Sequence, residues 1–283
     1  MAQKRALAIH DISCFGKCSL TVALPIISST GAECTVMPTA VLSTHTGGFK
    51  GFTYRDLTDD LLPILEHWKT LDICFDSIYT GFLGSFEQID LVSKIFDELK
   101  GKNTLIIVDP VMADNGELYS IFSKDFPKGM KKLCEKADVI IPNITEAVLL
   151  LDEEYKKGPY TKQYIEGLLE RLGRIGAKKI VLTGVFFDDS HLGAAAYDVA
   201  ENKISYSFRD LVPGYYHGTG DVFGSVIVSA LMNGNDLAEA NALAVEFTVD
   251  SIIRTKNAGT DIRFGVNFEE GLGKLALKMK EGL

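Results

Sequence analysis

Apolar residues in this chain follow two alternating patterns: short continuous blocks, and longer stripes spaced three and four residues apart. The blocks at 5–11 (RALAIHD) and 33–39 (ECTVMPT) read as buried strands, separated by a glycine-containing turn and an apolar segment running to Thr30. The stretch LTDDLLPILEHWKTL has helical spacing, with Leu61, Ile64, Leu65 and Trp68 on one face and Pro63 near its first turn. FEQIDLVSKIFDELK repeats that stripe through Ile89, Val92, Ile95, Phe96 and Leu99. SIYTGFL, TLIIVDPVM, ADVIIPN and KKIVLTG are further strands, and AAAYDV with KISYSF predicts an antiparallel hairpin across Glu201 and Asn202. DVFGSVIVSALMNG and DLAEANALAVEFTVDSIIRT are two long helices, and residues 267–281 suggest a third.

Strands that are apolar throughout, alternating with helices, predict an α/β fold: a mostly parallel sheet covered by helices on both faces. No internal repeat, low-complexity tract or linker interrupts the pattern, so one domain over residues 1–283 is expected. The polar, glycine-rich stretch STHTGGFKGFTYRD stands apart as a substrate-facing loop whose glycines permit hinging.

Composition narrows the function. Hydrophobic residues make up 46% of the chain, enough to cover two sheet faces, while the net charge of −9 argues against a nucleic-acid surface. The apolar run at the N-terminus stops at His10-Asp11, too short for a signal peptide, and no segment reaches the roughly 18 apolar residues of a membrane span. Five cysteines without framework spacing fit reduced thiols and a cytoplasmic location. Cys14 and Cys18 lack the companion ligands of a zinc site.

Ligands of open α/β sheets bind beyond the carboxyl ends of the strands. The chemistry-bearing residues collect there: Asp11 closes the first strand, His45 and Thr46 lie in the next loop, and Asp109 and Asp114 follow TLIIV. Asn143 and Glu146 follow ADVII, Thr183 ends KKIVL, and HGTGD (217–221) precedes a long helix. In that last motif Gly218, Thr219 and Gly220 let the backbone approach an anion, and the unpaired N–H groups of the helix start supply positive potential. The arrangement is an anion hole for phosphate oxygens. Asp221 beside it is repelled by phosphate but can take a proton from an attacking hydroxyl. A plain helix-terminal acid is the competing account.

Asp109, Asp114, Asn143 and Glu146 are oxygen donors suited to a Mg²⁺ ion that keeps several waters and bridges nucleotide phosphates. Asn143 and Glu146 equally fit a capping box. His45 serves as a substrate contact or as an ordinary loop histidine. The chain has no G-x-x-x-x-G-K-[ST], no G-x-G-x-x-G and no G-x-S-x-G, which disfavours P-loop, dinucleotide and serine-hydrolase chemistry.

Taken in order, Phe15-Gly16, STHTGG, TGFLGS, VDPVMADNG, ADVIIPNITEAVLL, VLTG and HGTGDVFGS resemble the pyridoxal kinases, the vitamin B6 branch of the ribokinase-like superfamily, over nearly the whole chain. The resemblance implies a three-layer α/β/α sandwich, commonly a homodimer, that phosphorylates the 5′-hydroxymethyl group of a B6 vitamer from MgATP. A monovalent cation such as K⁺ is an open addition. By the same resemblance Asp221 is the catalytic base, and Gly218, Thr219 and Gly220 form the anion hole. Asp109, Asp114, Asn143, Glu146 and Thr183 surround metal and nucleotide phosphates; His45, Thr46 and Phe82 line the pyridine ring.

Two positions depart from the family. Asp11 stands where a serine usually bonds the ring, which favours a protonated ring nitrogen or a substrate with an extra donor. Ile141 replaces a frequent threonine. The motif also carries Asp221 where a class serving pyrimidine and B6 substrates has cysteine. Alternatives are a hydroxymethylpyrimidine or sugar kinase of the same fold, or a non-catalytic B6- or nucleotide-binding protein.

Overall fold

The computed structural model describes residues 3–281. In chain order its elements are β1 (Arg5–Ser13), α1 (Leu20–Ser29), β2 (Glu33–Leu42), β3 (Tyr54–Asp56), α2 (Thr58–Lys69), β4 (Ser77–Thr80), α3 (Phe86–Leu99) and β5 (Leu105–Val108). Next come β6 (Ala113–Asp114), β7 (Glu117–Leu118), α4 (Phe126–Cys134), β8 (Val139–Ile140), α5 (Ile144–Leu151) and α6 (Lys162–Gly173). The chain ends with β9 (Lys179–Val185), β10 (His191–Asp198), β11 (Lys203–Asp210), α7 (Thr219–Met232), α8 (Leu237–Ala258) and α9 (Leu272–Glu281).

Nine strands form one sheet in the order β11-β10-β9-β8-β5-β4-β1-β2-β3. From β9 to β2 neighbouring strands are parallel, whereas β3 and the β10–β11 hairpin add antiparallel edges. Side chains alternate across a strand, and β1 shows the consequence: Leu7 and Ile9 enter one apolar layer, Ala6 and Ala8 the other. The first layer also receives α2 to α6 and the second α1, α7, α8 and α9, so the expected three layers are present. Phe96 on α3 is 1% exposed, and truncating such a side chain costs about 3–5 kcal/mol.

The sheet order reverses between β1, which continues to β2, and β4, which lies on its other side. A crevice therefore opens at the carboxyl ends of β1, β4 and β5. There the structure corrects the sequence reading. Strand β1 does not stop at Asp11 but runs to Ser13, because a bulge between His10 and Ile12 absorbs the irregularity. Tyr54–Asp56, expected in a loop, pairs with β2 as the edge strand β3. The last helix begins at Leu272, after a 3₁₀ turn over Glu269–Gly271. Helices α4 and α6 and the small β6–β7 hairpin were not anticipated, and α5 only through its Asn143–Glu146 capping box, although Asn115-Gly116, both at positive φ, is the dipeptide such a hairpin prefers.

Candidate active site

Helix α7 points its N-terminus into the crevice. Its N-cap is Gly218 at φ 75°, with no side chain capping the first turn. A Cβ on Gly218 would lie 2.2 Å from the Lys17 carbonyl oxygen, so only glycine lets the helix start this close to the β1–α1 turn. Around Gly220, by contrast, a Cβ would meet nothing within 4 Å. Open space therefore lies beside the first turn, whose amides no side chain caps. The Thr219 hydroxyl donates to the Tyr216 carbonyl at 3.1 Å, which fixes the approach to the helix.

Asp221 sits in the first turn of α7 and is partly accessible. Burial of its carboxyl pushes its pKa up to about 7; the Ser19 backbone amide opposes that rise and the neighbouring Asp11 charge adds to it. A base that titrates near neutrality suits proton removal from an alcohol.

On one rim of the crevice, Asp109 follows β5 and is buried, with its pKa raised by burial and then by the charges of Glu146 and Asp221. Glu146 is raised for the same first reason, while amides of Asn143, Met112 and Ala113 support its charge. Its two oxygens accept the Met112 and Asn143 N–H groups at 3.1 and 2.9 Å. Asn143 completes a capping box on α5, accepting the Glu146 N–H at 2.9 Å, and its Nδ2 donates to the Ala113 carbonyl at 2.8 Å. Thr183 on β9 pairs with Asn143 in an isolated bridge. Asp114 lies at the β6–β7 turn, where its Oδ2 accepts the Tyr215 hydroxyl at 3.1 Å.

Among the described residues, no three acidic, histidine or cysteine side chains converge into a metal cage. The donor set still fits a hydrated Mg²⁺ ion: Asp109 is a buried acid among other acids and without a cationic partner, and Asp114 stands at the rim. Glu146, with both oxygens engaged by amides, shapes the loop around such an ion.

The other rim is assembled from distant segments. His45 is buried; its Nε2 contacts the Arg263 carbonyl at 2.6 Å and its Nδ1 accepts the Gly47 N–H at 3.1 Å, which makes Nε2 the protonated nitrogen. Burial lowers its pKa, against the pull of the Arg263 carbonyl and the Asp11 charge. Its ring lies 4.9 Å from Phe49 and 5.0 Å from His217, and His217 meets Tyr215 at 5.1 Å. Thr46 is exposed, whereas Thr44, passed over in the sequence, carries a buried hydroxyl without a partner. Phe82 packs on Phe122 at 5.8 Å, apart from the histidine cluster.

Asp11 is 5% exposed, and both its oxygens are engaged: Ser19 Oγ donates to Oδ1 at 2.6 Å and Ser13 Oγ to Oδ2 at 2.9 Å. Burial raises its pKa against those hydroxyls. Ser19 itself has φ 56° and ψ −127°, a backbone state that costs a non-glycine residue about 1–3 kcal/mol. Sequence reasoning missed Ser19, Thr44, Tyr215 and His217, although His217 stands inside HGTGD.

A phosphomethylpyrimidine kinase family profile matches residues 24–265. The chain belongs to that family. Within it, the pyridoxal kinase branch of the ribokinase-like superfamily is supported by solved relatives. A Bacteroides thetaiotaomicron protein, provisionally named a phosphomethylpyrimidine kinase and crystallised with pyridoxal, is 40% identical, with a TM-score of 0.92 over 96% of each chain. Pyridoxal kinase from Lactobacillus plantarum is 32% identical, with a TM-score of 0.89 over 99% of this chain and 98% of its own. A pyridoxal kinase of Dictyostelium discoideum is 26% identical over 92% of this chain and 89% of its own. The family makes the chain a phosphotransferase acting on an alcohol group. Among the described residues no helix is long and apolar enough to cross a membrane.

Proposed function

We propose that this chain, as a single kinase domain of residues 1–283, transfers the γ-phosphoryl group of ATP to the 5′-hydroxymethyl group of pyridoxal, pyridoxine or pyridoxamine. The observation that carries the reading is Asp221: a carboxyl with pKa about 7 in the first turn of a helix whose leading amides are uncapped. Asp221 takes the proton of the acceptor alcohol, whose oxygen attacks the γ-phosphorus in line. Amides at Gly218, Thr219 and Gly220 hold the charge that spreads over the equatorial oxygens. Asp109 and Asp114 would hold a hydrated Mg²⁺, which neutralises the nucleotide phosphates when bound; Asn143, Glu146 and Thr183 keep the surrounding loops in register.

His45, Thr46, Thr44 and Phe82 face the pyridine ring in this reading. The choice of a B6 vitamer over a pyrimidine or sugar is supported by the pyridoxal in the Bacteroides relative. The enzyme is assigned to the cytoplasm, in line with its five free cysteines, and to a homodimer, as the family resemblance implies, with K⁺ an open addition. A coupled ADP-release assay across the three vitamers, hydroxymethylpyrimidine and simple sugars tests the reading. Turnover is expected with at least one vitamer; rapid turnover of a sugar or pyrimidine beside silent vitamers sinks the substrate choice.

A further inference from the structure

Gly47 has no backbone reason to be a glycine. Gly48 and Gly51 of the same loop stand at φ 80° and 71°, where a side chain is strained, but Gly47 does not lie at positive φ. What excludes a side chain there is close approach. A Cβ on Gly47 would lie 2.6 Å from both Cε1 and Nδ1 of His217 and 3.3 Å from Nδ1 of His45. The residue is thus held between two imidazoles, one of which, His45, also accepts its N–H at 3.1 Å. The two rings stand 5.0 Å apart, tilted by 36°. Gly47, expected as a hinge, serves instead as a contact surface.

His217 is in turn the residue before Gly218, the N-cap of α7. Gly218 has little room on its other side, because a Cβ there would lie 2.2 Å from the Lys17 carbonyl oxygen. The approach to it is tied as well: Tyr215 meets the His217 ring edge-on at 5.1 Å, and the Thr219 hydroxyl donates to the Tyr216 carbonyl at 3.1 Å. On the loop side, His45 Nε2 donates to the Arg263 carbonyl at 2.6 Å. Gly48 lies beside the same two segments, since a Cβ on it would be 3.2 Å from Arg263 Cγ and 3.6 Å from His217 Nε2. A shift of the 43–49 loop therefore reaches the first turn of α7 through one imidazole.

We propose that His217 is a positioning residue that couples acceptor to nucleotide: closure of the 43–49 loop over the acceptor seats Gly47 on the imidazole, and the imidazole fixes Gly218 so that the first amides of α7 meet the γ-phosphate. Acceptor and nucleotide then tighten each other's binding by the same factor, because coupling between two sites is reciprocal. The inference rests on the kinase reading and extends it. His217 touches no reacting atom in it and moves no proton.

The test is calorimetry on the full chain with Mg²⁺ and the β,γ-methylene analogue of ATP. Binding is measured alone and with saturating pyridoxal, pyridoxine or pyridoxamine, whichever the enzyme turns over fastest. In the native protein the vitamer should tighten analogue binding about 5-fold or more, the low end of the range for coupled sites. In His217→Ala the tightening should vanish while the analogue alone binds as before. A merely structural defect would weaken both measurements alike and leave the tightening in place. Gly47→Ala supplies an independent check with kcat as the readout. Its methyl group wedges against the imidazole and should lower kcat about 10-fold, the scale of a displaced reacting group. In the His217→Ala background the same methyl finds room and should cost little more. Equal tightening in native protein and His217→Ala, no tightening in the native protein, or the same cost of Gly47→Ala in both backgrounds overturns the coupling and leaves the kinase reading standing. A native protein in which no vitamer releases ADP overturns that reading, and the coupling with it.

Discussion

The two rims of the crevice are built in opposite ways. The rim at the ends of β5 and β8 is local and saturated: Asn143 and Glu146 bond each other across one helical turn and also hold Met112 and Ala113. The opposite rim draws on four remote segments, near residues 11–19, 43–49, 215–217 and 261–265, joined by ring contacts and one backbone carbonyl. A saturated local rim can be rigid before any ligand arrives. A rim of stacked loops can open to admit a bulky acceptor and close over it, so binding energy is available to assemble the site.

The largest effect is expected where the rims meet. Asp221→Asn keeps shape but removes the proton acceptor, and kcat should fall by about 10²- to 10⁴-fold while ATP still binds by calorimetry. The same change should stabilise the fold above neutral pH. A carboxyl whose folded pKa is about 7, against a usual 3.8, binds its proton more tightly when folded. Its contribution to stability is therefore full below 3.8 and lost as pH rises to about 7. Thermal melting at pH 8 should show Asp221→Asn above the native protein, with the gap closing toward pH 4. Equal melting points at both pH values would contradict a carboxyl strained by burial.

Next in size is a pair of glycine replacements. Gly218→Ala places a Cβ 2.2 Å from Lys17 O at φ 75°, so the clamp on α7 must yield, at a cost of about 1–3 kcal/mol and most of the activity. Gly220→Ala meets only open space and should melt like the native protein, yet raise KM for ATP several-fold if phosphate uses that space. Matching losses of stability in both would mean that the second glycine serves the fold and not a ligand.

The contrast between the rims also explains what the sequence disclosed. Asn143-x-x-Glu146 was legible as a capping box because its bonds span three residues, and HGTGD as a helix start because its glycines directly precede a long apolar-periodic run. The parallel sheet was legible because Leu105–Val108 and its neighbours are apolar on both faces. Ser19 was not, since its partner Asp11 is eight residues away across a bulge and its φ leaves no mark on composition. The His45–His217 contact spans the chain, and no periodicity encodes it. Of α5 only the capping start was read, the helix being 8 residues long, and α6 escaped notice because it mixes its apolar stripe with charge.

A pH profile sharpens the comparison at intermediate scale. If Asp221 is the base, kcat should rise about tenfold per pH unit below its pKa and level above about 7. Asp11→Asn removes a negative charge that pushes that pKa up, so the rising limb should move to lower pH. A limb that stays in place would separate Asp11 electrostatically from the base. Burial lowers the pKa values of His45 and His217, so any limb they add should lie below the usual histidine range.

The smallest effect tests a hydrogen bond between the two rims, from Tyr215 to Asp114. Tyr215 is 53% exposed, donates to Asp114 Oδ2 at 3.1 Å and packs edge-on against His217. Tyr215→Phe deletes that bond and keeps the ring. An exposed hydrogen bond of this kind contributes about 0.5–1.5 kcal/mol, so shifts of a few-fold are the scale to expect. Because the hydroxyl occupies an oxygen that a hydrated Mg²⁺ would use, its removal should lower the KM for MgATP about 2- to 5-fold and leave kcat and vitamer KM in place. A rise in that KM would mean that Tyr215 orients Asp114 for the metal. A tenfold loss of kcat would instead place the tyrosine at the reacting atoms and merge the two rims into one.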